Sequence, residues 1–222
     1  MPSVLFKEKF IEFLMEDVLD VLLVIKYTSF VLPFVIYRYF KLNEKRIIPL
    51  FVFLFLTFIL SLFEIYAAES IGSAVPVYHI SVIVRYLTIL FVFYQILNHQ
   101  IIFITLSSIA VLIFSYESIY LNGWLKNNEI LTVFSHISIT AYAGYCLYKV
   151  LIQGQIILEN YSINLIGLFL IYSGSSTILS FFETEILLKP SLAAFFLIAY
   201  YNILEISLNI GFGYSLWKLK EA

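Results

Sequence analysis

Three ionisable residues lie at positions where an apolar chain rarely carries charge. Arg85 is near the centre of the apolar run Val75–Leu97, and Glu64 and Glu205 have comparable depths in two other runs. A charge at the centre of a bilayer costs about 3 kcal/mol or more, so it pairs with another charge, lines a cavity or binds a ligand. We therefore expect a polar cluster inside a helical bundle. The sequence leaves open whether Arg85 pairs with Glu205 or with Glu64.

Seven apolar runs supply the elements that must position these charges. The chain of 222 residues is 62% hydrophobic and 13% charged, whereas a soluble domain is about 25% charged. The runs do not alternate between polar and apolar residues, as the strands of a membrane barrel would. This pattern predicts an all-α, polytopic protein with seven transmembrane helices and a single transmembrane domain over residues 1–222. The runs cover residues 18–40, 47–68, 75–97, 100–121, 130–152, 162–184 and 191–217.

The charges outside these runs predict the orientation of the chain. Seven Lys and Arg residues lie on the side of the 1–2 and 5–6 connections and the C-terminus, against four on the other side. Because short basic loops stay in the cytoplasm, we expect the N-terminus outside and the C-terminus inside. Residues 1–16 place Phe6, Phe10 and Phe13 at helical spacing among acidic residues, which indicates an interfacial amphipathic helix.

Further polar side chains share helix faces with the central charges. In the seventh run, Tyr201, Glu205 and Asn209 recur at steps of four, which places them on one face of a helix. With the N-terminus outside, most of these groups fall in the outer half, so the pattern predicts an outward-facing pocket above an apolar, closed inner half. The predicted ligand-binding or switch residues are Arg85, Glu205, Glu64, His79, Asn209, Glu117 and His136.

Structural explanations compete with this functional one. Arg85 and a carboxylate could form a buried ion pair that only fixes helix register. The run Ser173-Gly174-Ser175-Ser176-Thr177 is typical of close helix packing. Lys26 is expected to extend towards the interface or to pair with Asp20.

The sequence offers no catalytic motif. It contains no H-E-x-x-H, G-x-S-x-G or phosphate-binding loop. We therefore predict no catalytic residue and no cofactor. Isolated histidines such as His79 and His136 do not form a metal site. The net charge of −2 disfavours nucleic acid as a partner.

One short segment resembles the seventh helix of microbial rhodopsins. The residues Leu204-Glu205-Ile206-Ser207-Leu208-Asn209-Ile210-Gly211-Phe212-Gly213 are similar to that helix, and Arg85-Tyr86 resembles the Arg-Tyr of the third. The position of the retinal-bearing Lys is Asn209, so a Schiff base cannot form. Leu87 stands where the family keeps a carboxylate, and the Trp and Pro of the sixth helix are missing. The resemblance implies at most a rhodopsin-like protein that cannot bind retinal covalently.

A second resemblance extends over most of the chain. It is carried by Leu60-Ser61-Leu62-Phe63-Glu64, Tyr78-His79, Ile163-Asn164, Ile171-Tyr172-Ser173-Gly174 and the segment 202–217. These segments resemble small, uncharacterised seven-helix membrane proteins of Bacteroidetes-type bacteria, which are often encoded beside sensor histidine kinases. The resemblance implies a bacterial cytoplasmic (inner) membrane. In that group an acidic residue tends to occupy position 85 and an Asn position 205, so the resemblance implies contact between these two positions.

The leading functional hypothesis is a non-enzymatic sensor, receptor-like protein or signalling-accessory subunit. Its expected partners are membrane lipids, a small or lipidic ligand, and a sensor kinase or other membrane subunit. The alternatives are a transporter or proton-coupled carrier that uses Glu64, Glu117 and Glu205, a membrane-embedded lipid-modifying enzyme that uses His136 and Glu117, and a purely structural bundle.

Overall fold

The chain folds into helices throughout the part that the structure describes. The computed structural model describes residues 2–40, 47–121, 129–152, 160–180 and 192–221. The helices are α1 (Pro2–Ser29), α2 (Val31–Phe40), α3 (Ile48–Ile71), α4 (Val75–Leu97), α5 (Gln100–Tyr116), α6 (Glu129–Leu151), α7 (Asn160–Ser180) and α8 (Leu192–Glu221). A π-helical turn, Glu117–Leu121, directly follows α5.

The prediction of an all-α protein with seven spans is confirmed. Seven segments are long and apolar enough to cross a bilayer, which indicates an integral membrane protein. They are Asp17–Phe40, Ile48–Ser70, Val75–Leu97, Gln100–Leu121, Glu129–Leu151, Tyr161–Ser180 and Leu192–Leu219. Residues 181–184, assigned by sequence to the sixth span, lie outside the described residues. The side chains of residues 1–14 also lie outside them, so the interfacial helix stays a prediction, although α1 is already helical from Pro2.

The first span is broken into two helices, which the sequence analysis did not predict. Helix α1 ends at Ser29 and α2 begins at Val31. The cause is Pro33, whose ring would collide with the carbonyl group of Ser29, four residues earlier, in an unbroken helix. Both pieces pack against α8, so this one span contributes two helix directions to the bundle.

The helices enclose an interior from which α5 is largely excluded. Helix α8 packs on α1, α2 and α7, α7 packs on α6, and α4 packs on α3, α5 and α6. Phe58 of α3 reaches the end of α1, where its ring centroid lies 6.4 Å from that of Tyr27, and it lies 5.6 Å from that of Phe30, the residue that follows α1. Helices α1, α3, α4, α6, α7 and α8 therefore surround the interior.

Four phenylalanines close one half of this interior. Phe169 of α7 lies 5.7 Å from Phe53, 5.6 Å from Phe93 and 5.3 Å from Phe212, measured between ring centroids. All four rings are buried, and tilted or edge-to-face pairs at such distances are favourable. This aromatic plug occupies the half of the bundle in which α3 begins and α4 ends.

The contact between α7 and α8 depends on a glycine, which gives a first testable prediction. A Cβ atom at Gly211 would overlap the side chain of Leu168, lying 2.9 Å from its Cδ1 and 3.2 Å from its Cγ. Overpacking of this kind costs about 1–3 kcal/mol. We expect Gly211→Ala to lower the free energy of unfolding by about 1 kcal/mol, since the gain in helix propensity offsets part of that cost. Unfolding in SDS can be followed by alkylation of Cys146, which is buried in the folded protein.

A matched control lies on the facing helix. A Cβ atom at Gly167 of α7 would meet nothing within 4 Å, so Gly167→Ala should be neutral or stabilising. Addition of Leu168→Ala to Gly211→Ala should remove the clash. Equal effects of the two single substitutions would contradict the steric explanation.

Candidate functional site

Four charges form an alternating row across four helices. Lys26 of α1 lies against Glu205 of α8, Glu205 against Arg85 of α4, and Arg85 against Glu64 of α3. The row contains two cations and two anions, so it sums to zero when all four are ionised. Each side chain is at least about three-quarters buried, and such alternation is how an apolar environment tolerates charge.

The contacts along the row differ in strength. Lys26 Nζ lies 2.6 Å from Glu205 Oε2, a close charge contact that lacks hydrogen-bond alignment. Arg85 makes longer contacts, 3.4 Å from Nη2 to Glu64 Oε1 and 3.7 Å from Nη1 to Glu205 Oε1. Charge-assisted hydrogen bonds are normally about 2.7–2.9 Å long. Ser61 accepts the shortest hydrogen bond from Arg85, at 2.9 Å.

The question that the sequence left open has a geometric answer. Arg85 contacts both Glu205 and Glu64 but forms a close ion pair with neither, because both distances exceed those of a charge-assisted hydrogen bond. The guanidinium Nε is buried and has no hydrogen-bond partner among the described residues. A buried donor without a partner is costly, so Arg85 retains hydrogen-bonding capacity.

A cavity of about 240 Å³ adjoins the row. It occupies the half of the bundle in which α4 and α6 begin, on the far side of the row from most of the aromatic plug, and Phe53 belongs to both its lining and the plug. Helix α5 contributes nothing to it among the described residues. The lining residues are Lys26, Phe30, Phe53, Thr57, Glu64, Tyr78, Val82, Arg85, Tyr86, Ile89, Thr132, Ser135, His136, Ile139, Tyr172, Tyr201, Glu205, Leu208 and Asn209.

Several polar atoms in the lining supplement the charges. Asn209 donates a hydrogen bond of 2.9 Å to Ser29 Oγ and so ties α8 to the end of α1. Thr57 Oγ1 and His136 Nδ1 are buried and have no hydrogen-bond partner within the described ranges. Such atoms in a cavity wall are available to a ligand or to water.

Lys26 corrects an expectation from the sequence. It neither extends to the interface nor pairs with Asp20, because its ammonium lies against Glu205 in the bundle interior. The break after Ser29 leaves Lys26 in the last turn of α1, close to the middle of the span Asp17–Phe40. Its depth in the span could have indicated a role like that of Arg85.

Two residues of the predicted set lie elsewhere. Arg85, Glu205, Glu64, Asn209 and His136 all line the cavity. His79 is fully buried in α4 but does not line it. Glu117 is fully buried in the π-helical turn and does not line it either.

Glu117 instead caps α6. Its Oε1 accepts a hydrogen bond of 2.8 Å from the backbone N–H of Ile130, and its Oε2 accepts one of 2.9 Å from Leu131. The first N–H groups of a helix have no partner within it, and a carboxylate there also interacts favourably with the helix dipole. Glu117 therefore holds the start of α6 against the end of the preceding span.

This cap gives a second prediction. Glu117→Ala should lower the free energy of unfolding by about 2 kcal/mol, because the buried N–H group of Leu131 and the partly buried one of Ile130 lose their acceptor. Glu69→Gln changes an exposed carboxylate on α3 and should have no measurable effect. SDS unfolding followed at Cys146 measures both variants. A Glu117→Ala variant as stable as the wild type would contradict the capping role.

The small-residue run of α7 lies against α6, as expected for helix packing. A Cβ atom at Gly174 would lie 3.7 Å from Thr140 Cγ2, and one at Gly144 of α6 would lie 3.8 Å from Leu170. Ser173 donates to the carbonyl of Phe169, and Thr177 donates to that of Ser173. The run thus brings the two helices together, and the hydroxyl groups of Ser173 and Thr177 bond within α7.

Neither metal coordination nor similarity to known proteins assigns a function to the site. No group of three His, Cys, Asp or Glu side chains in the described ranges is placed to hold a metal ion. Comparison of the chain with models of protein families, with curated proteins and with solved structures finds no match.

Proposed function

We propose that this protein is a non-enzymatic receptor-like or signalling-accessory subunit of a bacterial inner membrane. Its cavity would face outward, with the N-terminus outside and the C-terminus in the cytoplasm. The observation that carries the proposal is the charged cavity beside Arg85, whose guanidinium touches two carboxylates at 3.4 and 3.7 Å and keeps an unpartnered Nε. Intramembrane charges that line a cavity are expected to have a function.

The proposed mechanism is a shift between two helix packings. Arg85 on α4 lies between Glu64 on α3 and Glu205 on α8, so a small movement of α4 would strengthen one contact and weaken the other. A ligand anion that takes over the guanidinium would release both carboxylates. A ligand changes such an equilibrium only through its different affinities for the two states.

The aromatic plug favours this proposal over a transporter. A carrier needs a polar path that reaches both faces in turn, whereas the cavity ends at Phe53, which packs on Phe169 and Phe212. Glu117, a member of the alternative proton relay, has both carboxylate oxygens bound to the backbone of α6. The same use of Glu117 disfavours its assignment to a lipid-modifying enzyme.

The resemblance to seven-helix proteins encoded beside sensor kinases supplies the proposed partner, a kinase or another membrane subunit. The Arg85–Glu205 contact of 3.7 Å agrees with the exchange of charges between the third and seventh spans that this resemblance implies.

Native mass spectrometry of the protein, extracted gently from its host membrane, tests the pocket. We expect a stoichiometric small molecule or lipid on the wild type and its loss from the double variant Arg85→Gln/Glu64→Gln. This variant removes one cation and one anion, so the remaining pair of Lys26 and Glu205 keeps the cluster neutral. A matched control, Arg38→Gln/Glu69→Gln, removes two exposed charges of opposite sign and should retain the adduct.

Two results would contradict the proposal. If the wild-type protein carried no bound small molecule or lipid, the proposed ligand pocket would be contradicted. A chain that is released only together with other membrane subunits, with no small molecule bound, would instead favour a structural bundle whose ion pairs fix helix register.

A further inference from the structure

The charge balance of the cavity constrains what it can bind. The row Lys26–Glu205–Arg85–Glu64 is neutral as it stands. A guest with a single charge would leave a net charge in a region of low dielectric constant, and an uncompensated buried charge is strongly unfavourable. A guest with one positive and one negative group adds no net charge.

The anionic group of such a guest would bind at Arg85. The guanidinium has five N–H donors in a planar fork that matches carboxylate and phosphate oxygens. Its Nε–H has no partner among the described residues, and its contacts with both carboxylates are longer than good charge-assisted hydrogen bonds. A carboxylate or phosphate could therefore bind at Arg85 without breaking a short ion pair.

The cationic group would bind at Glu64. The ion pair that Glu64 makes in the described structure is the 3.4 Å contact with Arg85, and this contact weakens when Arg85 turns towards an anion. Glu205, in contrast, keeps Lys26 at 2.6 Å. An ammonium group would replace the charge that Glu64 loses, and the cavity wall also offers Tyr78, Tyr172 and Tyr201, whose rings can attract a cation.

The size of the cavity limits the guest to a small group. A volume of about 240 Å³ corresponds to roughly eight water molecules, at about 30 Å³ each in the liquid. This is below the range of about 300–1,000 Å³ typical of drug-sized ligands. A free α-amino acid and the headgroup of an aminophospholipid are both of suitable size, and both carry an ammonium group beside a carboxylate or phosphate.

We infer that the cavity beside Arg85 and Glu64 binds a small zwitterion, with its carboxylate or phosphate on Arg85 and its ammonium on Glu64. The inference rests on the proposed function, because it specifies the ligand class of that same site. The two sources of this chemistry, a free amino acid and an aminophospholipid, are separated by the experiment.

The test uses purified full-length protein in nanodiscs of phosphatidylglycerol, which carries no ammonium group. One arm adds a mixture of the standard amino acids, and a second replaces part of the lipid with phosphatidylethanolamine. Binding is measured by the shift of the thermal unfolding midpoint and by native mass spectrometry. We expect one arm to produce a bound species, with affinity at least about tenfold higher than that for the matching amine or acid that lacks the second charge.

The inference predicts that two charge variants will each prefer a ligand of different charge from the one that the wild type prefers. Glu64→Gln leaves a net charge of +1 in the row, so this variant should prefer the carboxylic acid analogue to the zwitterion. Lys26→Gln leaves −1 and should shift the preference towards the amine. Protection of buried Cys146 from alkylation verifies that each variant is folded, and either variant alone is sufficient for the test.

The outcomes separate the inference from the proposed function. If the wild type binds a simple anion, an uncharged lipid or an amine as tightly as any zwitterion, the zwitterion inference is wrong. The proposed ligand-binding function would still stand. An unchanged preference in either folded charge variant would also overturn the zwitterion inference. If no arm produces a bound species and extraction from the host membrane yields a bare chain, the proposed function fails as well.

Discussion

Replacement of Arg85 by leucine is expected to destabilise the folded protein by about 3 kcal/mol, because it leaves Glu64 and Glu205 to share the single cation Lys26. Removal of one member of a buried ion pair typically costs about 3–5 kcal/mol. We expect the lower end of this range, since the side chains of Arg85 and Glu64 are each about one-fifth exposed. SDS unfolding, followed by alkylation of Cys146, measures the loss.

The decisive control is a variant that removes charge without unbalancing it. Arg85→Leu/Glu64→Leu leaves the Lys26–Glu205 pair at 2.6 Å and should be within about 1 kcal/mol of the wild type, because well-packed apolar residues often replace a buried ion pair at little cost. This double variant should therefore be stable and yet lack the molecule that the wild type carries in native mass spectrometry. A single variant no less stable than the double variant would show that Arg85 does not compensate the carboxylates.

Loss of a ring from the aromatic plug should have a similarly large effect. Phe53 is 4% exposed and lies 5.7 Å from Phe169 and 6.0 Å from Phe212, between ring centroids. Truncation of a buried phenylalanine typically costs about 3–5 kcal/mol. We expect Phe53→Ala to lose about 3 kcal/mol and to extend the cavity into the other half of the bundle. Detergent unfolding and the accessibility of Cys146 to maleimide in the folded state measure the two effects.

A control two residues away tests whether the loss depends on packing within the plug or follows from the removal of any phenylalanine. Phe55 is on the opposite side of α3 and is 55% exposed, so in the membrane its ring faces lipid. Phe55→Ala should change stability by less than about 0.5 kcal/mol. Equal losses at Phe53 and Phe55 would mean that the plug contributes no specific packing.

The fold was largely predictable because length and hydrophobicity alone define a membrane span. Every backbone polar group must be satisfied in lipid, so apolar runs such as Val75–Leu97 can only be helices. The juxtaposition of Arg85 with Glu205 and Glu64 was also predictable, since each charge at that depth needs a compensating charge. Steps of four in the last span likewise placed Tyr201, Glu205 and Asn209 together, and all three line the cavity.

The features that were missed depend on contacts between segments distant in sequence. The pairing of Lys26 with Glu205 joins the first and last spans, and no spacing rule connects them. Glu117 is recruited to cap α6 across an intervening connection, which a pattern of polar residues cannot distinguish from a place in a pocket. The break at Pro33, in contrast, was signalled by the proline and could have been predicted.

The neutrality of the charge row has a consequence for how the protein responds to membrane voltage. One elementary charge moved across a potential of 100 mV changes in energy by about 2.3 kcal/mol. Lys26, Glu205, Arg85 and Glu64 sum to zero, so a rearrangement that carries them together transfers no net charge. A movement of α4 in the plane of the membrane, which shifts Arg85 between its two carboxylates, also transfers no charge across the membrane. Ligand affinity in proteoliposomes should then be the same with and without an imposed potential. The bundle would report chemical occupancy alone, in an energised and in a de-energised membrane alike.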